Sequence, residues 1–206
     1  MNGPKFIVLE GIDGSGTTSQ ARALKERLES MGHPVHVTQE PSDGPIGRLL
    51  RKVLRDPSSH PAVDALLFAA DRVDHHAREI TKYLELGTHV ISDRYLESSI
   101  AYQGAQSMEV LGDQAFGWIE TINRYAPKPD LTVLLDCDPE VALRRKGELT
   151  EKFEKVDFLS RVREIYLKRA EELGYPVVSS EQGQVETTEE ILRLLKTRGV
   201  ILTRVT

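Results

Sequence analysis

Eight consecutive residues, Gly11-Ile12-Asp13-Gly14-Ser15-Gly16-Thr17-Thr18, have the make-up of a loop that cradles phosphate. Glycines let a backbone turn tightly and aim its N–H groups inward. A helix opening at the end of the turn adds unpaired donors and the positive end of its dipole. The spacing follows G-x-x-x-x-G-K-[ST], in which the last hydroxyl, here Thr18, helps to hold Mg²⁺. Thr17 stands where that motif has lysine. Asp13 puts a carboxylate among phosphate-directed amides, which is electrostatically awkward unless it faces a hydroxyl, a cation or an amine. A conformational part in the turn is the plainer account of it.

Further groups follow along the chain. Glu40-Pro41 precedes Arg48 and Arg51. An acid and then an arginine can hold a polar ligand and its phosphate, whereas Arg48 and Lys52 read as solvated helix charges. Phe68 and Arg72 are four residues apart and share a helix face. A ring and a guanidinium so placed can stack on a planar base and bond its edge, although a core Phe beside a surface Arg would have the same spacing. Asp93-Arg94-Tyr95 leads into Ser98-Ser99 and Tyr102-Gln103. Arg94 can grip a phosphate bidentately, and Asp93 can hold Mg²⁺ water or orient Arg94. The run from Arg144-Arg145-Lys146 through Gly147 to Lys152-Phe153-Glu154 suits a cationic flap closing on polyphosphate, or simply a solvated helix end. His75 and His76 are adjacent, so they leave a helix in different directions and lack metal-ligand spacing; they read as solvated or structural.

These groups need strand ends and helix starts to hold them. Lys5–Glu10 reads as a first buried strand and Ser19–Ser30 as the helix after the loop. Val35–Thr38, Thr88–Ser92, Leu131–Asp136 and Pro176–Ser179 supply four more short apolar strands. Helices are expected over about Ile46–Arg55, then in one long stretch from Pro61 to about Leu86, with proline in the first turn and Gly87 past the end. Others are expected over Leu96–Gln103, Gly112–Tyr125, from Pro139, over Lys155–Leu173, and over Thr187–Arg198 with a cap at Thr188 or its neighbour. Short apolar strands alternating with helices predict an α/β fold, a five-stranded parallel sheet with helices on both faces. Ligands then sit at the carboxyl ends of the strands, which is where Asp13, Glu40 and Asp93 fall.

At 206 residues, with no repeat, linker or low-complexity run, the chain reads as a single domain over 1–206. A net charge of −5 argues against wholesale nucleic-acid binding while leaving room for local arginine clusters. One cysteine, Cys137, excludes an internal disulfide framework and a cysteine zinc cluster, and reads as a small buried residue beside a strand end. The N-terminal apolar run is too short for a signal peptide, and no stretch approaches the roughly 20 apolar residues that span a bilayer. A soluble, cytoplasmic setting is the expectation.

Taken together, the phosphate loop, Glu40-Pro41, Phe68…Arg72, Asp93-Arg94-Tyr95…Ser98-Ser99…Tyr102-Gln103-Gly104 and the charged segment resemble the thymidylate kinase family over about Lys5 to Leu173. Each motif alone is generic; their order and spacing are specific. The resemblance implies a three-layer P-loop kinase fold with a short lid at about 144–154, and transfer of the γ-phosphoryl of ATP to dTMP with Mg²⁺. It implies that Gly11 through Thr18 bind ATP, and that Thr18 and Asp93 serve the metal. Phe68 would stack on thymine, Arg72 would bond its O4, Ser99 would lie near the base edge, and Gln103 would be among the substrate-binding residues. Tyr102 would crowd the sugar's 2′ position, and Arg51 and Arg94 would hold the dTMP phosphate. Asp13 would meet the 3′-hydroxyl, and Glu40 would help to position the acceptor. Members with glycine at the place of Gly14 draw a catalytic cation from the flap, which makes Arg144, Arg145, Lys146 and Lys152 the candidates beside Asp13 and Arg94. A homodimer is implied, packed through helices such as Pro61–Leu86 and Gly112–Tyr125. The chain departs from the pattern at Thr17, at Gln39 where arginine is usual, and at Thr150-Glu151-Lys152 where Asp-Arg is usual. Two alternatives stay open: a kinase for another nucleoside monophosphate, and a nucleotide-binding protein with little turnover.

Overall fold

A computed structural model describes residues 3–56, 58–147 and 156–201. Five parallel strands form one sheet: β1 (Phe6–Gly11), β2 (Val35–Gln39), β3 (His89–Asp93), β4 (Leu131–Asp136) and β5 (Val177–Ser179), in the order β2-β3-β1-β4-β5. Side chains alternate across the sheet. Ile7, Leu9, Ile91, Val133 and Leu135 pack on one face against Leu24 and Leu28 of α1 (Thr17–Ser30) and Ile191 and Leu195 of α10 (Gln184–Thr197). Phe6, Val8 and Val90 meet Ile80 and Tyr95 on the other face. Leu134 meets Leu159, Val162 and Tyr166 of α9 (Val156–Leu173) on that same side. Each fully buried side chain of this size contributes roughly 1.5–3 kcal/mol, so the sandwiched sheet is the rigid part of the molecule.

The crossovers create the crevice. The link after β1 runs through α1 on one face. The link after β3 runs on the other, through α5 (Leu96–Ser98), a π-helical turn Ser99–Gln103, α6 (Gly104–Leu111) and α7 (Gln114–Ile122). β1 and β3 are neighbours with Leu9 opposite Asp93, so their connections part at adjacent carboxyl ends and leave a ligand-sized gap. α2 (Pro45–Val53) and α3 (Pro61–His75) wall it on one side, and α8 (Pro139–Lys146) on the other.

Several boundaries differ from expectation. α1 begins at Thr17, two residues before Ser19, because Gly16 adopts φ 95° and turns the chain straight into the helix. The segment expected to stop at Gln103 continues to Leu111, because Gly104 sits inside it where a Cβ would come within 2.9 Å of the Phe116 ring. That glycine clears space for packing and does not end the helix. The stretch from Pro61 remains helical through a π-turn at His76–Ile80 and then α4 (Thr81–Glu85). α10 starts at Gln184 with Gly183 at its cap position; Thr188 is no cap, since its hydroxyl donates within the helix to the Gln184 carbonyl and across to Gln20.

Candidate active site

A cavity of about 820 Å³ opens at the carboxyl ends of β1 and β3. Asp13, Gly14, Gly16, Thr17 and Thr18 line one part; Glu40, Arg51, Phe68 and Arg72 another; Arg94, Tyr102 and Gln103 a third; Arg145 and Lys146 close a fourth side. Six separate stretches of sequence thus meet in one space. Gly11, Ile12 and Ser15 are buried beneath it and shape the loop: Ser15 N donates to the Ile12 carbonyl, and Ile12 packs in the cluster with Tyr102 and Leu134. Gly14, at φ 85°, lies so close to α8 that a Cβ would come 2.2 Å from the Ala142 carbonyl oxygen. The helix rests on the loop backbone.

Thr18 Oγ1 donates a short hydrogen bond to Asp93 Oδ2, while Asp93 Oδ1 is buried without a hydrogen-bond partner among the described residues. A hydroxyl beside a carboxylate with a spare oxygen is an all-oxygen donor set, which suits a hard divalent cation. No cluster of three or more His, Cys, Asp and Glu occurs among the described residues, so such a cation would complete its shell with ligand oxygens and water.

Arg94 has φ 71°, a left-handed backbone held by the hydrogen bond from its N–H to the Leu9 carbonyl. Its guanidinium donates to Asp13 at short range and lies 5.1 Å from the centre of the Tyr102 ring. Asp13 also meets Lys146 Nζ at 3.4 Å. Burial opposes ionisation of Asp13, but Arg94 and then Lys146 outweigh it and hold the carboxyl below its ordinary range. The Tyr102 hydroxyl accepts from the Asp13 N–H at 2.8 Å, and burial, foremost, pushes its pKa up. Tyr102 therefore stays a neutral phenol, tied to the phosphate loop.

Arg72 is not the surface arginine that its spacing also allowed. It is 1% exposed, donates to the Tyr95 carbonyl at 2.8 Å and to Ser99 Oγ at 3.0 Å, and makes a short bond to Asn123 Oδ1. Glu40 Oε2 lies 2.8 Å from it, an ion pair by distance whose angle falls short of a hydrogen bond. Phe68 lines the cavity one turn before Arg72 on α3. Arg51 donates to the Ser42 carbonyl at 2.7 Å and pairs with Asp43. Gln103 is buried, and its Oε1 has no hydrogen-bond partner among the described residues.

The flap cations separate. Arg144 is exposed, outside the cavity lining, and pairs with Glu140. Arg145 donates to the Ser180 carbonyl at 2.8 Å and approaches the Cys137 thiol. Lys146 reaches Asp13. Lys152 lies outside the described residues, as does the rest of the expected lid after Gly147.

Supporting residues carried no signal in the spacing. Glu10, 1% exposed, accepts from the N–H groups of Tyr95 and Ser98 and bonds Ser98 Oγ and Tyr166. His75 is buried, bonding Glu40 at 3.2 Å and Thr38 at 2.7 Å, which settles it as structural and not solvated. Asp71 holds Ser42 by backbone and hydroxyl. An amphipathic pattern shows which face is buried, not which polar group waits inside it.

The family description that matches the chain is "Thymidylate kinase", over residues 9–191. Among curated proteins, a probable thymidylate kinase of Pyrobaculum aerophilum is 46% identical over 195 residues, covering 93% of this chain and 96% of the relative. That of Pyrobaculum calidifontis is 47% identical over 194 residues (93% and 95%), and that of Pyrococcus horikoshii 44% over 176 residues (81% and 82%). The chain belongs to the thymidylate kinase family.

Proposed function

We propose that this member of the thymidylate kinase family moves the terminal phosphoryl group of ATP onto dTMP within the cavity between β1 and β3. The observation that carries the reading is that the phosphate loop, Phe68, Arg72 and Gln103, and Arg94 all line one cavity. A phosphate oxygen of dTMP attacks the terminal phosphorus of ATP, the bond to the β–γ bridging oxygen breaks, and ADP leaves with that electron pair. Little covalent work falls to the protein; it must align the two phosphates and neutralise them.

The loop's N–H groups and the start of α1 take the ATP phosphates. Thr18 and Asp93 are the residues that would hold Mg²⁺, which when bound neutralises phosphate charge. Arg94 and Arg51 grip the dTMP phosphate, and Asp13 keeps Arg94 aimed and faces the acceptor sugar. Phe68 stacks on thymine, and Arg72, fixed by Glu40 and Ser99, bonds its O4. The Gln103 carbonyl suits an N–H of the base. The ring of Tyr102 fills the space beside the sugar, which favours deoxyribose. Arg145 stands on the donor side; Arg144 receives no part.

The site-bearing connections all spring from one sheet, which supports reading 1–206 as one domain. A homodimer is supported by α3: Val63, Leu66, Ala70 and Val73 form an exposed apolar stripe along the face away from Arg72. Such a row on one helix matches a second copy of itself across a two-fold axis. We place the protein in the cytoplasm; no described helix is long and apolar enough to cross a membrane.

ADP release measured with ATP, Mg²⁺ and a panel of nucleoside monophosphates tests the reading. Turnover should be fastest with dTMP. Faster turnover of UMP or dCMP would redirect the substrate, and nucleotide binding with no dTMP-dependent ADP would refute the activity.

A further inference from the structure

A guanidinium that must meet a phosphate in one direction needs more than one anchor. Held at a single N–H group it swings about that bond; a second contact fixes its plane, and a misplacement of about 1 Å is costly to group transfer. Arg94 has such a second contact. Its Nη2 goes to Asp13, its guanidinium carbon lies over the Tyr102 ring, and its Nη1 donates to Ser98 Oγ at 3.5 Å, the long end of hydrogen-bonding reach. A bond that long is useful only if its acceptor is held still.

Ser98 is held by a closed set of oxygens. Its Oγ is 2.5 Å from Glu10 Oε2 and 2.8 Å from the Tyr166 hydroxyl, and that hydroxyl is 3.1 Å from the same Glu10 oxygen. Glu10 at the end of β1, Ser98 on α5 and Tyr166 on α9 are all buried. Glu10 Oε1 is taken by the N–H groups of Ser98 and of Tyr95, the residue next to Arg94. Arginine has no acceptor, so Ser98 must accept from it. With Glu10 ionised, the Ser98 and Tyr166 protons both point at Oε2; with Glu10 protonated, each oxygen of the ring donates once. Either way Ser98 Oγ keeps a lone pair for Arg94. The Tyr166 ring also stands edge-on to Tyr102, with centres 6.3 Å apart. One residue of α9 thus backs two of the three contacts on the guanidinium without itself lining the cavity.

We propose that Ser98 and Tyr166 are positioning residues for Arg94, two hydroxyls closed with Glu10 into a ring that keeps the guanidinium turned toward the acceptor phosphate. The inference rests on the reading that Arg94 grips that phosphate.

Titration calorimetry with dTMP and with thymidine isolates the phosphate, because thymidine has the base and sugar alone. Arg94→Ala should cut the preference for dTMP over thymidine by about 10- to 100-fold, the scale of hydrogen bonds to a charged group. Ser98→Ala should cut it by about tenfold and Tyr166→Phe by about threefold or more, with thymidine affinity within about twofold of wild type. In the Arg94→Ala background the same two substitutions should change dTMP affinity by less than about twofold, which a general loosening of the fold would not give. In the coupled assay both variants should raise the KM for dTMP and leave the KM for ATP within about twofold. A preference lowered by Arg94→Ala but intact in Ser98→Ala and Tyr166→Phe would overturn the proposal, as would equal losses with and without Arg94. Where Ser98→Ala does not fold, Tyr166→Phe decides alone, since it removes one oxygen and keeps the ring against Tyr102. An unchanged preference in Arg94→Ala would refute Arg94 as the phosphate grip, and the proposal with it. Absence of dTMP turnover in wild type would count against the kinase reading and leave these binding results to decide.

Discussion

Replacing Glu10 by glutamine should make the protein more stable at alkaline pH and remove a slope from its pH profile. Glu10 is buried at the end of β1, and burial, ahead of every other influence, raises its pKa from an ordinary 4.5 to about 7. Ser98 and the Arg94 charge pull the other way, and Glu97 adds to the rise. Below pH 4.5 the carboxyl holds its proton whether the chain is folded or not. Between 4.5 and 7 the unfolded chain releases the proton while the folded one keeps it, so stability falls as pH rises. Above 7 the loss is complete, and at about 1.4 kcal/mol per pH unit it amounts to about 3 kcal/mol. Glutamine carries no charge to desolvate. Its carbonyl can accept from the Tyr95 and Ser98 N–H groups as Oε1 does now, and its amide can donate to the Ser98 and Tyr166 hydroxyls, whose protons rotate to suit. Urea unfolding of both proteins from pH 4 to pH 8.5 isolates the effect, since every other titrating group is common to both. The two free energies should converge near pH 4 and separate by up to about 3 kcal/mol in favour of Glu10→Gln at pH 8. Parallel curves, or a variant less stable at pH 8, would refute the reasoning and show that the ionised carboxylate is worth more to the start of α5 than its burial costs.

Gly14→Ala forces a Cβ into the Ala142 carbonyl and an alanine into positive φ; it should cost about 2–4 kcal/mol and lower kcat by more than tenfold as α8 shifts, read by thermal melts and the coupled assay. Glu40→Gln strips the buried partner from Arg72, which should destabilise by about 3–5 kcal/mol and raise the KM for dTMP more than that for ATP. Leu66→Asp places a charge at the centre of the exposed α3 stripe, where Leu66 is 51% exposed; sedimentation should show dimers giving way to monomers with little change in unfolding free energy per chain.

The parts of the fold that were legible are those set by local chemistry. Short apolar runs ending at Glu10, Thr38, Ser92 and Asp136 announce buried parallel strands, and Gly11–Thr18 announces the turn between β1 and α1. The alternation of strands and helices then leaves few sheet topologies. Long-range packing was not legible. Gly104 looks like a helix terminus and is a clearance for Phe116; Thr188 looks like a cap and is a partner for Gln20. The same limit holds at the site. Arg72 could be placed on a face with Phe68, but its burial depends on Glu40, Asn123 and the Tyr95 carbonyl, which come from three other stretches. Arg144, Arg145 and Lys146 are indistinguishable as a basic triplet. Their three fates follow from the 100° between successive residues on α8 and from which direction faces the loop.

Asp13 explains how one carboxylate can sit in a phosphate loop without repelling the phosphate. It carries one negative charge and faces two positive ones, Arg94 and Lys146, so the local sum is positive. The first cation belongs to the connection after β3 and the second to the helix after β4. The carboxylate is thus the point at which acceptor-side and donor-side elements are tied to the loop. An incoming phosphate adds acceptor oxygens beside those of Asp13, and the guanidinium of Arg94 has enough N–H groups to bond the carboxylate and the phosphate together. Buried opposite charges are costly to hold apart from water and costly to leave unpaired, so a shared carboxylate keeps both cations in place. Position 17 fits the same logic. A lysine there would add a third positive charge against one carboxylate within the loop, whereas the small neutral Thr17, which also lines the cavity, does not.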